Sequence, residues 1–281
     1  MKFDTHIHTN HSLCSTLKPE KAVETAAACG LHTVVVKDHN LIYGALEAKA
    51  YAEEGYKKIH GVDCPVNVEL GIEVRTEYGE LGIDFLTEHE AKIIHGLKNT
   101  SKNFWFQDVY NAVNELRENK DSRLLVCLHH PFSFSIFDKR GSFDFYGVCG
   151  KDPLTGKGDS PFSKEHPLNS LAGFLSFIDY TELNGNNYDK KGVECASALA
   201  KAYGMPIVVS TDAHFKRMIG RYYTIAKGGN VRDSIVENNL ELPFGLDDIS
   251  YLRSFYYRSK SGLIIRPFKK LFKKFISSNK S

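Results

Sequence analysis

Long apolar runs are missing from this sequence. No stretch of about 18 apolar residues occurs, which argues against a helix that crosses a membrane. The first residues enter a strand-like pattern without the basic and apolar leader of a secretory signal peptide. The six cysteines include no C-x-x-C pair, and their scatter favours free thiols over a disulfide framework. We therefore expect a cytoplasmic protein.

Acidic residues are absent from the end of the chain. From residue 253 onward the sequence has nine Lys and Arg residues and no Asp or Glu, so the remainder carries −7 although the whole chain carries +2. An acidic body makes extended nucleic-acid binding unlikely. Within 266–280, apolar residues recur at helical spacing with lysines opposite, which predicts a basic amphipathic helix. The predicted tail, 246–281, could lie on an anionic membrane surface, contact a partner protein or pack on the body.

The body of the chain, 1–245, alternates predicted strands and helices. The 281 residues and 42% hydrophobic content of the whole chain are ordinary for a globular protein and suffice for one barrel of the (β/α) type. The β-branched or apolar runs at 34–36, 124–128 and 205–210 are typical of buried parallel strands. Residues 133–167 show little periodicity, and we interpret them as a loop or lid over a site. The fold class is therefore α/β with a parallel sheet.

Histidines and acids follow several of these strands. His6 and His8 are two residues apart on a strand, so their rings project from the same face. Neutral imidazoles and carboxylates suit zinc, manganese or iron. The number of candidate ligands exceeds the four that one tetrahedral ion binds. This number indicates a cluster of two or three divalent ions, which could bridge a hydroxide for attack on phosphorus. The candidates are His6, His8, His39, Glu73, His129 or His130, Asp212 and His214.

Five ordered motifs resemble the PHP (polymerase and histidinol phosphatase) family. They are His6-x-His8, Asp38-His39-Asn40, Gly71-Ile72-Glu73-Val74, His130-Pro131 and Ser210-Thr211-Asp212-Ala213-His214, spread over residues 2 to about 226. The resemblance implies a distorted (β/α)7 TIM-like barrel with a bi- or trinuclear metal site that hydrolyses phosphate esters. It further implies that His6, His8, Glu73 and Asp212 hold one ion, Glu73 and His130 a second, and His39 with His214 a third, where these two histidines serve catalysis.

Three departures from the family pattern leave roles open. Lys37 stands where the family often has Thr, and it could meet substrate phosphate as a point charge. Arg75 is a second candidate for phosphate binding. Either His11 or Cys14 could replace a missing ligand of the third ion, and either Asp84 or His89 a missing ligand of the second. Glu182 could support a ligand or be structural.

The leading hypothesis is a metal-dependent phosphoesterase. A small phosphomonoester such as histidinol phosphate or a nucleotide is favoured over the phosphodiester of a nucleic-acid end. One alternative is a non-catalytic, metal-stabilised module that recruits a partner or a membrane through the tail. A metal-dependent amidohydrolase is a third hypothesis, because similar ligands serve carbon–nitrogen hydrolysis.

Overall fold

The computed structural model describes residues 1–98, 104–132, 171–185 and 190–244. The predicted lid at 133–167 and the predicted tail at 246–281 lie outside these ranges. Within them, the strands are β1 (Lys2–Ile7), β2 (Thr33–Val36), β3 (Asn67–Thr76), β4 (Gly79–Leu86), β5 (Leu125–Leu128), β6 (Tyr180–Asn184), β7 (Ile207–Ser210), β8 (Thr224–Ala226) and β9 (Leu240–Glu241).

These strands form one sheet whose first seven members make a distorted barrel. The order is β7-β6-β5-β4-β3-β2-β1-β8-β9, and β4 runs antiparallel to its neighbours β3 and β5, while the other neighbouring pairs from β1 to β7 are parallel. The sheet nearly closes where the end of β1 meets the segment after β7. There Ala213 donates its N–H to the His6 carbonyl at 3.1 Å, and His8 donates to the Ala213 carbonyl at 2.9 Å. The predicted TIM-like α/β barrel is confirmed.

Helices follow most strands. They are α1 (Pro19–Ala28), α2 (Tyr43–Ala50), α3 (Tyr56–His60), α4 (Glu88–Gly96), α5 (Phe106–Glu118), α6 (Leu171–Phe177), α7 (Lys190–Tyr203) and α8 (Val231–Val236). Proline at the first position of α1 suits a helix start, because its missing N–H would have no partner there. Ala22, Val23 and Ala26 of α1 are fully buried in the main hydrophobic core. No helix of the described ranges has both the length and the apolar character needed to span a membrane.

One predicted helix differs from its expected form. The sequence predicts a helix from about 41 to 54, whereas α2 and α3 are joined through a π-helical turn, Tyr51–Gly55, and together extend to His60. Gly61 then ends the helix in the left-handed conformation, with φ of 73°, which a residue without a Cβ adopts without strain. The longer helix changes nothing at the carboxyl end of β2, where His39 lies.

The carboxyl ends of β1, β2, β5, β6 and β7 meet on one side of the barrel. Parallel neighbours bring their ends to the same edge, and barrels of this type place their ligands there. β3 carries Glu73 to the same region, where an isolated bridge pairs it with His39. The polar residues that follow these strands in the sequence therefore converge in space.

Candidate metal centre

The strand that carries the His-x-His pair is fixed to the last motif of the barrel. The carboxylate of Asp4 accepts hydrogen bonds from the backbone N–H of His6 and of Thr211, both at 3.1 Å, and from the Thr211 hydroxyl. Burial raises the pKa of Asp4 to about 6, although these hydrogen bonds and His6 act in the opposite direction. Asp4 therefore sets the position of β1 against the loop that carries Asp212.

Four side chains converge at the end of β1. The Nε2 atom of His8 lies 3.0 Å from His6 Nε2, 3.3 Å from Glu73 Oε2 and 3.1 Å from Asp212 Oδ1. His6 Nε2 is 3.6 Å from Glu73 Oε1 and 3.7 Å from Asp212 Oδ1. Ligands at about 2 Å in a tetrahedral arrangement are about 3.3 Å apart, so these spacings match donors around one divalent ion.

The carboxylate of Glu182, on β6, supports His6 from behind. Its Oε2 lies 2.6 Å from His6 Nδ1, and both side chains are fully buried. Burial alone would raise the pKa of Glu182, but the adjacent His6 outweighs it and lowers this pKa to about 2. A carboxylate on one ring nitrogen orients the other toward a metal, so Glu182 leaves Nε2 of His6 available as a ligand.

The two neighbouring histidines after β5 have different surroundings. His129 is fully buried, with Nδ1 at 3.0 Å from Glu73 Oε1 and Nε2 at 3.0 Å from Lys37 Nζ. Burial and the Lys37 charge lower the pKa of His129 to about 3, so its ring is neutral. His130 has φ of 21° and places Nε2 at 3.7 Å from Glu73 Oε1, with its side chain 10% exposed. This arrangement favours His130 as the ligand and His129 as a support for Glu73.

Lys37 lies beneath the cluster rather than at its mouth. It is completely buried, and its Nζ pairs with Asp84 Oδ1 at 2.6 Å. Asp84 also accepts a hydrogen bond from the Tyr180 hydroxyl. This burial argues against the predicted contact between Lys37 and substrate phosphate, because the ammonium group has no path to solvent and is already paired. It also places Asp84 in an ion pair rather than at a second metal position.

A second group of donors lies beside the first. One ring nitrogen each from His8, His39 and His214 and the thiol of Cys14 lie within 4.8 Å of one another. His214 Nδ1 is 2.8 Å from the Asp212 carbonyl, which fixes the proton on Nδ1 and leaves Nε2 as an acceptor. Burial opposes ionisation of Cys14, but His214 and His39 outweigh it and lower the thiol pKa to about 6. Cys14 therefore belongs to the cluster.

The floor of the centre is closed and its rim is open. His6, His8, Glu73 and His129 are fully buried. His39 is 25% exposed, and His130, Asp212 and His214 lie between 8% and 10%. Arg75, half exposed, donates Nε to Glu80 Oε1 at 2.9 Å, and Glu80 lies 3.8 Å from His39. A ligand can reach the cluster from the side of His39.

Several buried polar atoms of the cluster fit a bound cation. Within the described ranges, Glu73 Oε2, His39 Nδ1 and Glu182 Oε1 make no hydrogen bond. Glu73 Oε2 and His39 Nδ1 lie 2.6 Å apart as an ion pair without hydrogen-bond alignment. Burial opposes protonation of His6 and His39, but the neighbouring carboxylates raise the pKa of both imidazoles, which thereby carry a counter-charge that a divalent ion would replace. The donor set therefore fits divalent metal.

All seven predicted ligands are brought together by the fold, whereas some of the alternatives are not. His11 lies 3.1 Å from Glu47 Oε2, and His89 is exposed in the first turn of α4. Sequence reasoning left Glu182 and Cys14 open. The available signal for Glu182 was its place near the carboxyl end of a strand, β6. The family pattern alone was the signal for Cys14. The grouped ligands are His6, His8, His39, Glu73, His130, Asp212 and His214.

Comparisons with known families give two matches along this chain. The model of a family described as the PHP domain matches residues 4–150, which is about half of the chain. A second model, described as PHP-associated, matches residues 194–240. Comparison with curated protein sequences gives no match.

Among solved structures, PsfC from Pseudomonas syringae is similar to this chain. It shares 14% identity with a TM-score of 0.58, covering 92% of this chain and 98% of its own. A putative metal-dependent phosphoesterase from Bifidobacterium adolescentis shares 15% identity with a TM-score of 0.42, over 85% of this chain and 97% of its own. A histidinol phosphate phosphatase from Lactococcus lactis, complexed with zinc, L-histidinol and phosphate, shares 15% identity with a TM-score of 0.36, over 76% and 87%.

Proposed function

Because this chain belongs to the PHP domain family, we propose that it is a metal-dependent phosphoesterase that hydrolyses a small phosphorylated substrate. The observation that carries the proposal is the convergence of His6, His8, Glu73 and Asp212 at metal-ligand spacing beside a second donor group. When bound there, two or three divalent ions of zinc, manganese or iron would supply a hydroxide nucleophile near neutral pH and positive charge for the phosphoryl oxygens.

Neighbouring side chains hold the metal ligands in the orientation that this chemistry needs. Glu182 orients His6, and His129 fixes a carboxylate oxygen of Glu73. His39 and His214 line the open rim, where the predicted catalytic roles would bring them beside the phosphoryl group. Arg75 on the same rim stays the predicted contact for a substrate oxygen, and release from Glu80 would free its guanidinium for that contact.

The depth of the centre favours a monoester over a diester. The ligands at the rim are at most 25% exposed, so a terminal phosphoryl group enters more easily than a phosphate with substituents on both sides. A free small phosphoester or a nucleotide has such a terminal group. The small exposed fraction of the ligands at the rim is therefore the reason to place phosphomonoesters first in a substrate screen.

The proposal is tested by metal content and phosphate release. Purified protein should contain two or three equivalents of metal and release phosphate from an aryl phosphate with manganese or zinc. His8→Ala and Asp212→Ala should each lose metal and nearly all turnover, because each removes a donor of the convergent group. His89→Ala is the matched control, since His89 is exposed on α4, and it should behave as wild type. Substoichiometric metal together with no turnover in wild type would refute the proposal.

The basic segment 266–280 is assigned a separate role. We propose that it brings a cytoplasmic enzyme to an anionic membrane surface, on the basis of its sequence pattern alone. Deletion of 246–281 should leave phosphate release intact and abolish sedimentation with phosphatidylserine vesicles. A full-length chain that sediments with these vesicles but shows no turnover, and that loses this binding on deletion of 246–281, would favour the alternative, in which recruitment is the function of the chain.

A further inference from the structure

The loop after β1 turns Cys14 toward the metal centre. Its neighbour Leu13 is 87% exposed, whereas Cys14 is partly buried in contact with His39 and His214. The loop is anchored on both sides of the thiol. On one side the Ser12 hydroxyl donates to Asp38, and on the other the Ser15 hydroxyl donates to the His214 carbonyl at 3.0 Å. The inward position of Cys14 is thus built into the loop.

The donors around Cys14 leave a position distinct from that of His6 and Asp212. Nε2 of His8 is committed to the first group, where it lies 3.0 Å from His6 Nε2 and 3.1 Å from Asp212 Oδ1. The atoms that remain together are the Cys14 thiol and one ring nitrogen each of His39 and His214. Three donors with one open position suit a tetrahedral ion that keeps a place for water or substrate.

The chemistry of these donors differs between the two positions. The first group combines two imidazoles with two carboxylates, which manganese, iron and zinc all accept. The second combines sulfur with two imidazoles. Soft thiolate ligands favour zinc and its spectroscopic substitute cobalt, whereas manganese and magnesium prefer oxygen.

We propose that Cys14 is a thiolate ligand of a metal position completed by His39 and His214, which makes that position selective for zinc-like ions. The inference rests on the proposed metal centre and adds the ligand for which sequence reasoning left His11 and Cys14 as alternatives. It assigns selectivity between metals to a side chain outside the family motifs of this chain.

Cobalt alone is the probe. The full chain is stripped with a chelator and titrated with Co²⁺, and the near-ultraviolet absorption from thiolate-to-cobalt charge transfer is followed with the bound stoichiometry. Wild type should show this absorption, and Cys14→Ala should lose it together with one equivalent of cobalt. Cys64→Ala is the matched control, because Cys64 precedes β3 at the opposite end of the barrel, and it should retain the absorption.

Two further measurements keep the test decisive. Cys14→Asp should bind the full stoichiometry without the near-ultraviolet band, and this variant also serves if Cys14→Ala does not fold. In wild type, zinc should protect Cys14 from alkylation by iodoacetamide, as read by peptide mass spectrometry. A band that is absent from wild type at full cobalt occupancy, or that survives in Cys14→Ala, overturns the thiolate ligand.

Failure of this inference differs from failure of the proposed function. Aryl phosphate hydrolysis is measured on the same preparations. Turnover without the charge-transfer band removes the thiolate ligand and leaves the phosphoesterase. The band without turnover, across manganese and zinc, leaves Cys14 as a ligand and removes the phosphoesterase.

Discussion

Lys37 and Asp84, two side chains that depart from the family pattern, are partners inside the barrel. They lie 47 positions apart in the chain, on the loop after β2 and on β4, and form a fully buried ion pair. Burial opposes the charge on Lys37, but Asp84 outweighs it and raises the lysine pKa. The pair is balanced only while both members are present, because an unpaired charge in this interior has no water to solvate it.

Single substitutions in this pair are expected to destabilise the fold more than the double substitution. Lys37→Met or Asp84→Asn alone should each lower the free energy of unfolding by about 3–5 kcal/mol, because each leaves one buried charge. The double variant should lose much less than the sum, since no charge remains. Urea denaturation of the metal-free proteins measures all three.

The same variants test the predicted role of Lys37 in substrate binding. If Lys37 contacted substrate phosphate, Lys37→Met would raise KM and leave the stability unchanged. Strictly additive losses of stability in the double variant would likewise contradict the ion-pair account.

The metal ligands could be predicted from the sequence, but the side chains that support them could not. The same-face rule for His6 and His8 follows from strand geometry, and the ends of parallel strands were expected to meet. The contact of Glu182 with His6 spans 176 positions and depends on how the sheet curves. Strand periodicity fixes which face a side chain occupies, but it does not fix which residue lies opposite it across a barrel.

At the scale of elements, β4 passes very close to the side chains beneath the metal centre. A Cβ at Gly82 would lie 2.2 Å from His129 Nε2 and 3.0 Å from Lys37 Nζ. The His129 ring is held by Glu73 through Nδ1, and the Lys37 ammonium group is held by Asp84. Neither side chain can move away without losing that contact. Glycine at this position is therefore required by packing.

Gly82→Ala should lower the free energy of unfolding by about 1–3 kcal/mol, the usual cost of overpacking a filled interior. It should also weaken metal binding, because displacement of His129 releases Glu73. Gly96→Ala is the control, since a Cβ at the end of α4 meets nothing within 4 Å and alanine favours the helix. Chemical denaturation and metal titration read both effects, and equal behaviour of the two variants would contradict the packing argument.

Helix α4 begins at a local sequence signal. The residue pattern from 89 to 100 is ambiguous by itself, but Thr87 and Glu90 form a capping box in which each side chain bonds the other's backbone N–H. The T-x-x-E spacing is a start signal for a helix. Strand positions were easier to predict, because a short apolar run bounded by polar residues indicates a buried strand whatever turns connect it to its neighbours.

For the molecule as a whole, Asp4 makes the free energy of unfolding depend on pH. It lies at the seam of the barrel, the place where β1 meets the loop after β7. Burial raises the pKa of Asp4 to about 6, from an ordinary value of 3.8. Between these values the folded chain retains a proton that the unfolded chain has lost, so stability from this group is present at low pH and falls as pH rises. The loss is about 3 kcal/mol when complete, at about 1.4 kcal/mol per pH unit.

Comparison of wild type with Asp4→Asn isolates this effect. Asparagine keeps an acceptor oxygen for the His6 and Thr211 N–H groups but does not titrate. From pH 4.5 to pH 7, metal-free wild type should therefore lose about 2 kcal/mol relative to Asp4→Asn, since part of the loss has already occurred at pH 4.5. Glu182, whose pKa is lowered to about 2, stays charged in the folded state throughout this window. Parallel stability curves for the two proteins would rule out the linkage.

The seam between β1 and the loop after β7 has a consequence for the timing of synthesis. His8 and Asp212, whose donor atoms lie 3.1 Å apart, are separated by 204 positions in the chain. A ribosome that adds about 5–20 residues per second delivers the second donor roughly 10–40 s after the first. Until then the nascent chain lacks one of the four donors that converge at the end of β1, so this group is completed only after β7 has been made. A bound ion would therefore connect two segments that are made many seconds apart, and metal binding at this group should follow synthesis of the seventh strand.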